Sequence, residues 1–114
     1  MVGRSKEMFI TNGENIYPAE IEEAIMRYPG VMLCAVVAVP HEIAGEVGRA
    51  YIAPLPDVTI EVEKLKEFLK EYLASYKIPR EYVFREMLPM TLLGKIEKKV
   101  LRQEVEAELK AKKG

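Results

Sequence analysis

The stretch Val31-Met32-Leu33-Cys34-Ala35-Val36-Val37-Ala38-Val39 carries no charged side chain and is bounded by Pro29-Gly30 on one side and Pro40 on the other. So short a run, rich in χ1-stiff valine and without polar alternation, predicts a strand covered on both faces rather than a helix. It is expected to be the central strand of a sheet. Cys34, the single cysteine, falls inside it and reads as a buried, inert thiol, and no disulfide can form within the chain.

On the N-terminal side, Met8-Phe9-Ile10-Thr11 and Ile16-Tyr17 flank Asn12-Gly13-Glu14-Asn15. An Asn-Gly pair between apolar runs accepts positive φ and predicts a small β-ribbon. Pro18 suits the first position of a helix in which Ile21, Ala24, Ile25 and Tyr28 recur at helical spacing, with Glu20, Glu22 and Glu23 near its positive end. No capping side chain is available, since Tyr17 occupies that place.

On the C-terminal side, Pro40 to Glu46 reads as a loop and Val47 to Leu55 as a second strand with Arg49 and Tyr51 on one face. His41, the one histidine, reads as a surface-loop residue without a metal or catalytic role. Thr59 is expected to cap a helix in which Val62, Leu65, Leu69, Tyr72 and Tyr76 repeat every three or four residues. Pro79 ends that helix, Tyr82-Val83-Phe84 is a third strand, and a last helix from Lys98 uses Leu101, Val105 and Leu109 as its apolar line. The order predicts an α+β domain, a small, largely antiparallel three-stranded sheet covered by helices and preceded by a two-stranded β-ribbon.

With 114 residues the chain makes one domain, small for an enzyme that must enclose two substrates. Its 49% hydrophobic and 31% charged residues and net charge of -1 are ordinary for a globular protein and argue against a nucleic-acid partner. The longest apolar run is too short to span a bilayer and the first residues lack the apolar core of a secretory signal, so the cytoplasm is the expected location.

Between the third strand and the last helix lies Leu88-Pro89-Met90-Thr91-Leu92-Leu93-Gly94-Lys95-Ile96. It places one lysine behind a flexible glycine on an apolar, proline-started loop. A lysine ammonium is a compact charge on a long stem, suited to gripping a phosphate or carboxylate oxygen when a mobile segment delivers it. The other reading is a solvated lysine beside Lys98 and Lys99.

Two stretches together are more specific than either alone. Gly3-Arg4-Ser5-Lys6-Glu7-Met8-Phe9-Ile10, running on through Gly13-Glu14-Asn15-Ile16-Tyr17-Pro18-Ala19-Glu20-Ile21-Glu22, and the Leu88 to Ile96 loop resemble, in order and separation, the C-terminal lid domain of adenylate-forming enzymes. That family includes acyl-CoA synthetases, adenylation domains of non-ribosomal peptide synthetases and luciferases. The resemblance implies that Lys95 contacts the substrate carboxylate and the α-phosphate of ATP, and that Lys6 is the hinge about which the lid turns. It implies that Gly13 lets the pantetheine arm of CoA pass the ribbon, that Arg4 lies near the nucleotide, and that Tyr76 and Lys77 meet the CoA nucleotide by stacking and charge.

The resemblance further implies a large N-terminal domain as partner, holding the phosphate loop, the adenine pocket, the acyl pocket and the Mg2+ that accompanies ATP. None of these can be built from this sequence, so it is expected to be one part of a longer ligase, starting at the hinge and inactive by itself. The expected parent is an acyl-CoA synthetase, acting on a small carboxylic acid of the fatty type with ATP and CoA as co-substrates. Two alternatives stand beside it, the lid of an adenylation domain that loads a carrier protein and a free-standing α+β binding module with Lys95 on its surface.

Overall fold

The computed structural model describes residues 7–113. Its elements run β1 (Phe9–Thr11), β2 (Glu14–Ile16), α1 (Pro18–Met26), β3 (Val31–His41), β4 (Gly45–Pro54), α2 (Val62–Leu69), a 3-10 turn at Ser75–Lys77, β5 (Glu81–Phe84) and α3 (Lys98–Lys113). The α+β reading holds. Helix α1 starts as its sequence suggests, on Pro18 with Tyr17 at the cap position and no side-chain cap bond.

The ribbon and the sheet are continuous. Thr11 of β1 pairs with Gly45 of β4, giving five strands in the order β2-β1-β4-β3 with β5 added beside β4. Pairings are antiparallel except β4 with β5, where Arg49 to Ile52 run parallel to Glu81 to Phe84. The ribbon turn has Asn12 at φ 50° and Gly13 at φ 82°, the conformation an Asn-Gly pair accepts at least cost.

The strand at Val31 to Val39 is buried on both faces, yet it is not central. It lies at the edge of the sheet, whereas β1 and β4 have partners on both sides. The apolar run reports coverage by helices rather than ladder position. On one face Cys34 and Val36 pack with Ile21 and Ile25 of α1 and Leu65 and Leu69 of α2. On the other, Ala35, Val37 and Val39 pack with Leu101 and Val105 of α3.

Three further boundaries differ from the sequence reading. The loop after β3 is tighter, because His41 ends the strand and its Nδ1 accepts the backbone N–H groups of Ile43 (3.2 Å) and Ala44 (3.0 Å). Thr59 caps nothing: α2 begins at Val62 behind Glu61, after extended chain that inserts Ile60 into the core. Helix α2 also stops at Leu69, so Tyr72 and Tyr76 leave its apolar stripe and are exposed, while Leu73 returns to the core through a turn bonded to Leu69.

Candidate functional site

Lys95 stands exposed on a hairpin that the loop sequence builds for itself. Met90 and Ile96 form a single antiparallel bridge, and Glu97 N–H donates to Pro89 O at 2.7 Å below it. At the tip, Gly94 takes φ 86° and donates to Thr91 O at 3.0 Å. Thr91 then closes the turn twice, by donating its N–H to Lys95 O (2.6 Å) and by accepting Lys95 N–H on Oγ1 (3.1 Å). Proline, threonine and glycine therefore each have a structural task, and together they hold Lys95 and the exposed Leu92 and Leu93 away from the body of the domain.

Lys98 and Lys99 are not equivalent neighbours of Lys95, as the sequence suggested. Lys99 is exposed. Lys98 is mostly covered and lies 2.6 Å from Glu22 Oε2 and 3.1 Å from Glu7 Oε1. Arg102, one turn on, pairs with the other Glu7 oxygen. Burial raises the Glu7 pKa, but the charges and hydrogen bonds of Lys98 and Arg102 outweigh it, so the carboxyl is held below its usual range.

Tyr76 and Lys77 lie in the 3-10 turn beyond α2, with the Lys77 ammonium 5.9 Å from the Tyr76 ring centre. Lys77 donates to both Glu20 oxygens, at 3.0 and 3.2 Å, and this pairing raises its pKa. The aromatic edge of this turn opens into a groove of about 440 Å³ lined by Lys66, Lys70, Ser75, Tyr76, Ile78, Pro79 and Arg80. Three cations, a hydroxyl and an aromatic face are a chemistry for phosphates and a base. Lys66, Lys70 and Arg80 escaped the sequence reading, because only folding α2 back against Pro79 gathers them.

Gly13 is at the tip of the ribbon, and a Cβ built there would meet no atom within 4 Å. Phe9, Thr11 and Ile16 of the ribbon share a small cleft with Tyr76 and Lys77, so these parts form one surface. Phe9, Ile16 and α2 belong to one face of the sheet, whereas Leu88, Ile96 and α3 belong to the other. The structure thus brings Tyr76 and Lys77 together with the ribbon and sets Lys95 on the opposite side. Arg4 and Lys6 lie outside the described residues.

Elsewhere, a wider apolar concavity of about 640 Å³ between Met32, Leu55, Phe84 and Met87 contains none of the residues singled out above. Burial, followed by the charge of Glu22, pushes the Cys34 thiol up to about 12, consistent with an inert core residue. Among the described residues no group of three or more His, Cys, Asp or Glu side chains is gathered where it could hold a metal ion. No helix among them is long and apolar enough to cross a membrane.

The family model described as the AMP-binding enzyme C-terminal domain matches residues 20–95, its last matched residue being Lys95. The chain is similar to feruloyl-CoA synthase of Amycolatopsis sp, 45% identical over 103 residues that cover 90% of this chain and 21% of that protein. It is also similar to a mitochondrial medium-chain acyl-CoA ligase of Mus musculus, 44% identical over 110 residues, 96% of this chain and 18% of the relative. Among solved structures, a fatty acyl CoA synthetase of Mycobacterium tuberculosis superposes with a TM-score of 0.81 at 40% identity, over 90% of this chain and 20% of that one. The chain therefore spans about a fifth of the length of the proteins it matches.

Proposed function

Because this chain belongs to the AMP-binding enzyme C-terminal domain family, we propose that it is the lid of an AMP-forming acyl-CoA synthetase and serves two half-reactions with its two sides. In the first, a carboxylate attacks the α-phosphorus of ATP, giving an acyl-adenylate and pyrophosphate. In the second, the CoA thiolate attacks the acyl carbon and AMP leaves.

Lys95 is assigned to the first step. Two anions must approach each other there, and a cation about 4 Å away at an effective dielectric near 20 offsets roughly 4 kcal/mol per charge pair. The ribbon tip at Gly13, the neighbouring Lys77 and the groove of Tyr76, Lys66, Lys70 and Arg80 are assigned to the second, receiving the pantetheine arm and the phosphates and base of CoA. The observation that carries the reading is that the Lys95 hairpin is rooted at Leu88 and Ile96 on one face of the sheet, whereas Tyr76 and Lys77 border Phe9 and Ile16 on the other. A rigid body so built presents only one side at a time to a fixed active site, so the domain must turn between steps. Lys6 is the proposed pivot and Arg4 a proposed nucleotide contact.

ATP, its Mg2+ and the acid are assigned to a large domain outside this chain, which is this domain's first partner. The acid is proposed to be of the fatty type and the location cytoplasmic, as the medium-chain and fatty acyl relatives suggest for the former. The test is to separate the half-reactions in the full-length ligase. Lys95→Ala should slow ATP-pyrophosphate exchange by about two to three decades and spare thioester formation from supplied acyl-adenylate, while Tyr76→Ala should raise the KM for CoA and spare exchange. Loss of the same half-reaction in both variants would overturn the two-sided reading.

A further inference from the structure

The Lys95 hairpin has nothing packed on its outer half, since Leu92, Leu93, Gly94 and Lys95 are all exposed. Its direction is therefore decided at its foot, where Glu97 leads into α3. The first residue of α3 is Lys98, the amine held by both Glu22 and Glu7.

Glu22 belongs to α1, on the opposite face of the sheet from α3. Its Oε2 accepts the Val36 N–H at 2.8 Å, on the outer edge of β3, and lies 2.6 Å from Lys98 Nζ. One carboxylate thus closes an open sheet edge and reaches round it to fix the start of the opposite helix. Glu7 holds the same amine from the segment entering β1, and Arg102 binds Glu7 from the next turn of α3. The network is half-covered and joins three separate segments, unlike an isolated surface pair.

We propose that Glu22 and Glu7 are positioning residues for Lys95, acting through Lys98. This rests on the assignment of Lys95 to the adenylation step. Lys95 is three residues from Lys98, about 10 Å of extended chain at roughly 3.3 Å per residue. A tilt of about 6° at the foot would then move the ammonium by about 1 Å, a misplacement that can cost ~100-fold in rate. The network touches no reactant and is not catalytic.

The test uses the full-length ligase with Lys98→Met, Lys98→Arg, Glu22→Gln, Glu7→Gln and the double variant Glu7→Gln/Lys98→Met, beside Lys95→Ala. Lys98→Met should lower kcat for ATP-pyrophosphate exchange 10- to 100-fold, with the KM for ATP and thioester formation from supplied acyl-adenylate within about twofold of the parent. Glu22→Gln and Glu7→Gln should each cost a smaller factor in the same half-reaction. Lys98→Arg, which keeps the charge, should restore most of the rate, and the double variant should be no slower than Lys98→Met. Equal loss in both half-reactions with a lowered Tm would reduce the network to fold stability and overturn the proposal. Normal exchange in Lys98→Met beside a dead Lys95→Ala would overturn it and leave the role of Lys95 standing. Normal exchange in Lys95→Ala would remove the functional reading itself, and the positioning role with it.

Discussion

The Lys77 ammonium stands 3.0 Å from Glu20 Oε1 and 3.2 Å from Oε2, although the two residues are 57 positions apart. A cation assigned to CoA is thus already engaged, and the incoming phosphate must compete with a carboxylate for it. Exposed pairs of this kind contribute about 0–1 kcal/mol, so the competition is weak. Glu20→Gln in the full-length ligase should therefore lower the KM for CoA by about two- to fivefold without altering ATP-pyrophosphate exchange. A KM for CoA that rises or stays level would show that Glu20 orients Lys77 for the ligand rather than competing for it.

Lys95→Ala should cost adenylation two to three decades of rate, about 3–4 kcal/mol of transition-state stabilisation at ~1.4 kcal/mol per decade. Acetylation of Lys95 should do the same, since it removes the charge and keeps the stem. Lys99→Ala is the matched control, being exposed and near in sequence. Lys98→Ala is not, because Lys98 is bound by two carboxylates. Equal losses in Lys95→Ala and Lys99→Ala would reduce the effect to general surface charge.

At Gly13 the two roles of glycine can be separated. A Cβ there meets nothing within 4 Å, so Gly13→Ala suffers only from the positive φ of 82°, about 1 kcal/mol of stability by denaturant titration. Gly13→Leu should carry a similar strain yet slow thioester formation well beyond Gly13→Ala, with exchange near normal, if the CoA arm passes this turn. Similar thioester rates for the two variants would leave Gly13 a turn residue alone.

Acid should undo the ion pairs of α3. Glu7 and Glu104 both have pKa values held below the usual carboxylate range. For Glu7, burial acts upward and Lys98 and Arg102 overcome it; for Glu104, the hydrogen bond from Arg85 dominates. A carboxyl depressed in the folded state contributes stability that is fully present above its unfolded pKa and is lost as pH falls through the folded value. The Tm of the domain should therefore hold at neutral pH and decline below about 4.5. Glu7→Gln should have a lower Tm near pH 7 and a shallower decline in acid, and parallel Tm curves for parent and variant would contradict the coupling.

The sequence by itself determined what depends on near neighbours. Asn12-Gly13 specified the ribbon turn because few other residue pairs take positive φ at both positions. Pro18 and the spacing of Ile21, Ala24 and Ile25 placed α1, and Pro89 and Gly94 marked a loop, whose closure into a hairpin through Thr91 the structure supplies. The valine run announced coverage on both faces, since burial is written into side-chain polarity.

Only the tertiary structure decided what depends on residues far apart in the chain. The valine run could not show that β3 is an edge, because an edge strand with helices on both faces has the composition of a central one. Tyr76 looked like the end of a helical stripe until the chain was seen to leave α2 at Leu69. The lysines at 95, 98 and 99 are alike in sequence, and what separates Lys98 is a carboxylate 91 positions away and another on the far side of the sheet. Periodicity and turn chemistry are local, acting over a few residues, whereas ion pairing and strand order are settled by which surfaces meet when the hydrophobic faces close.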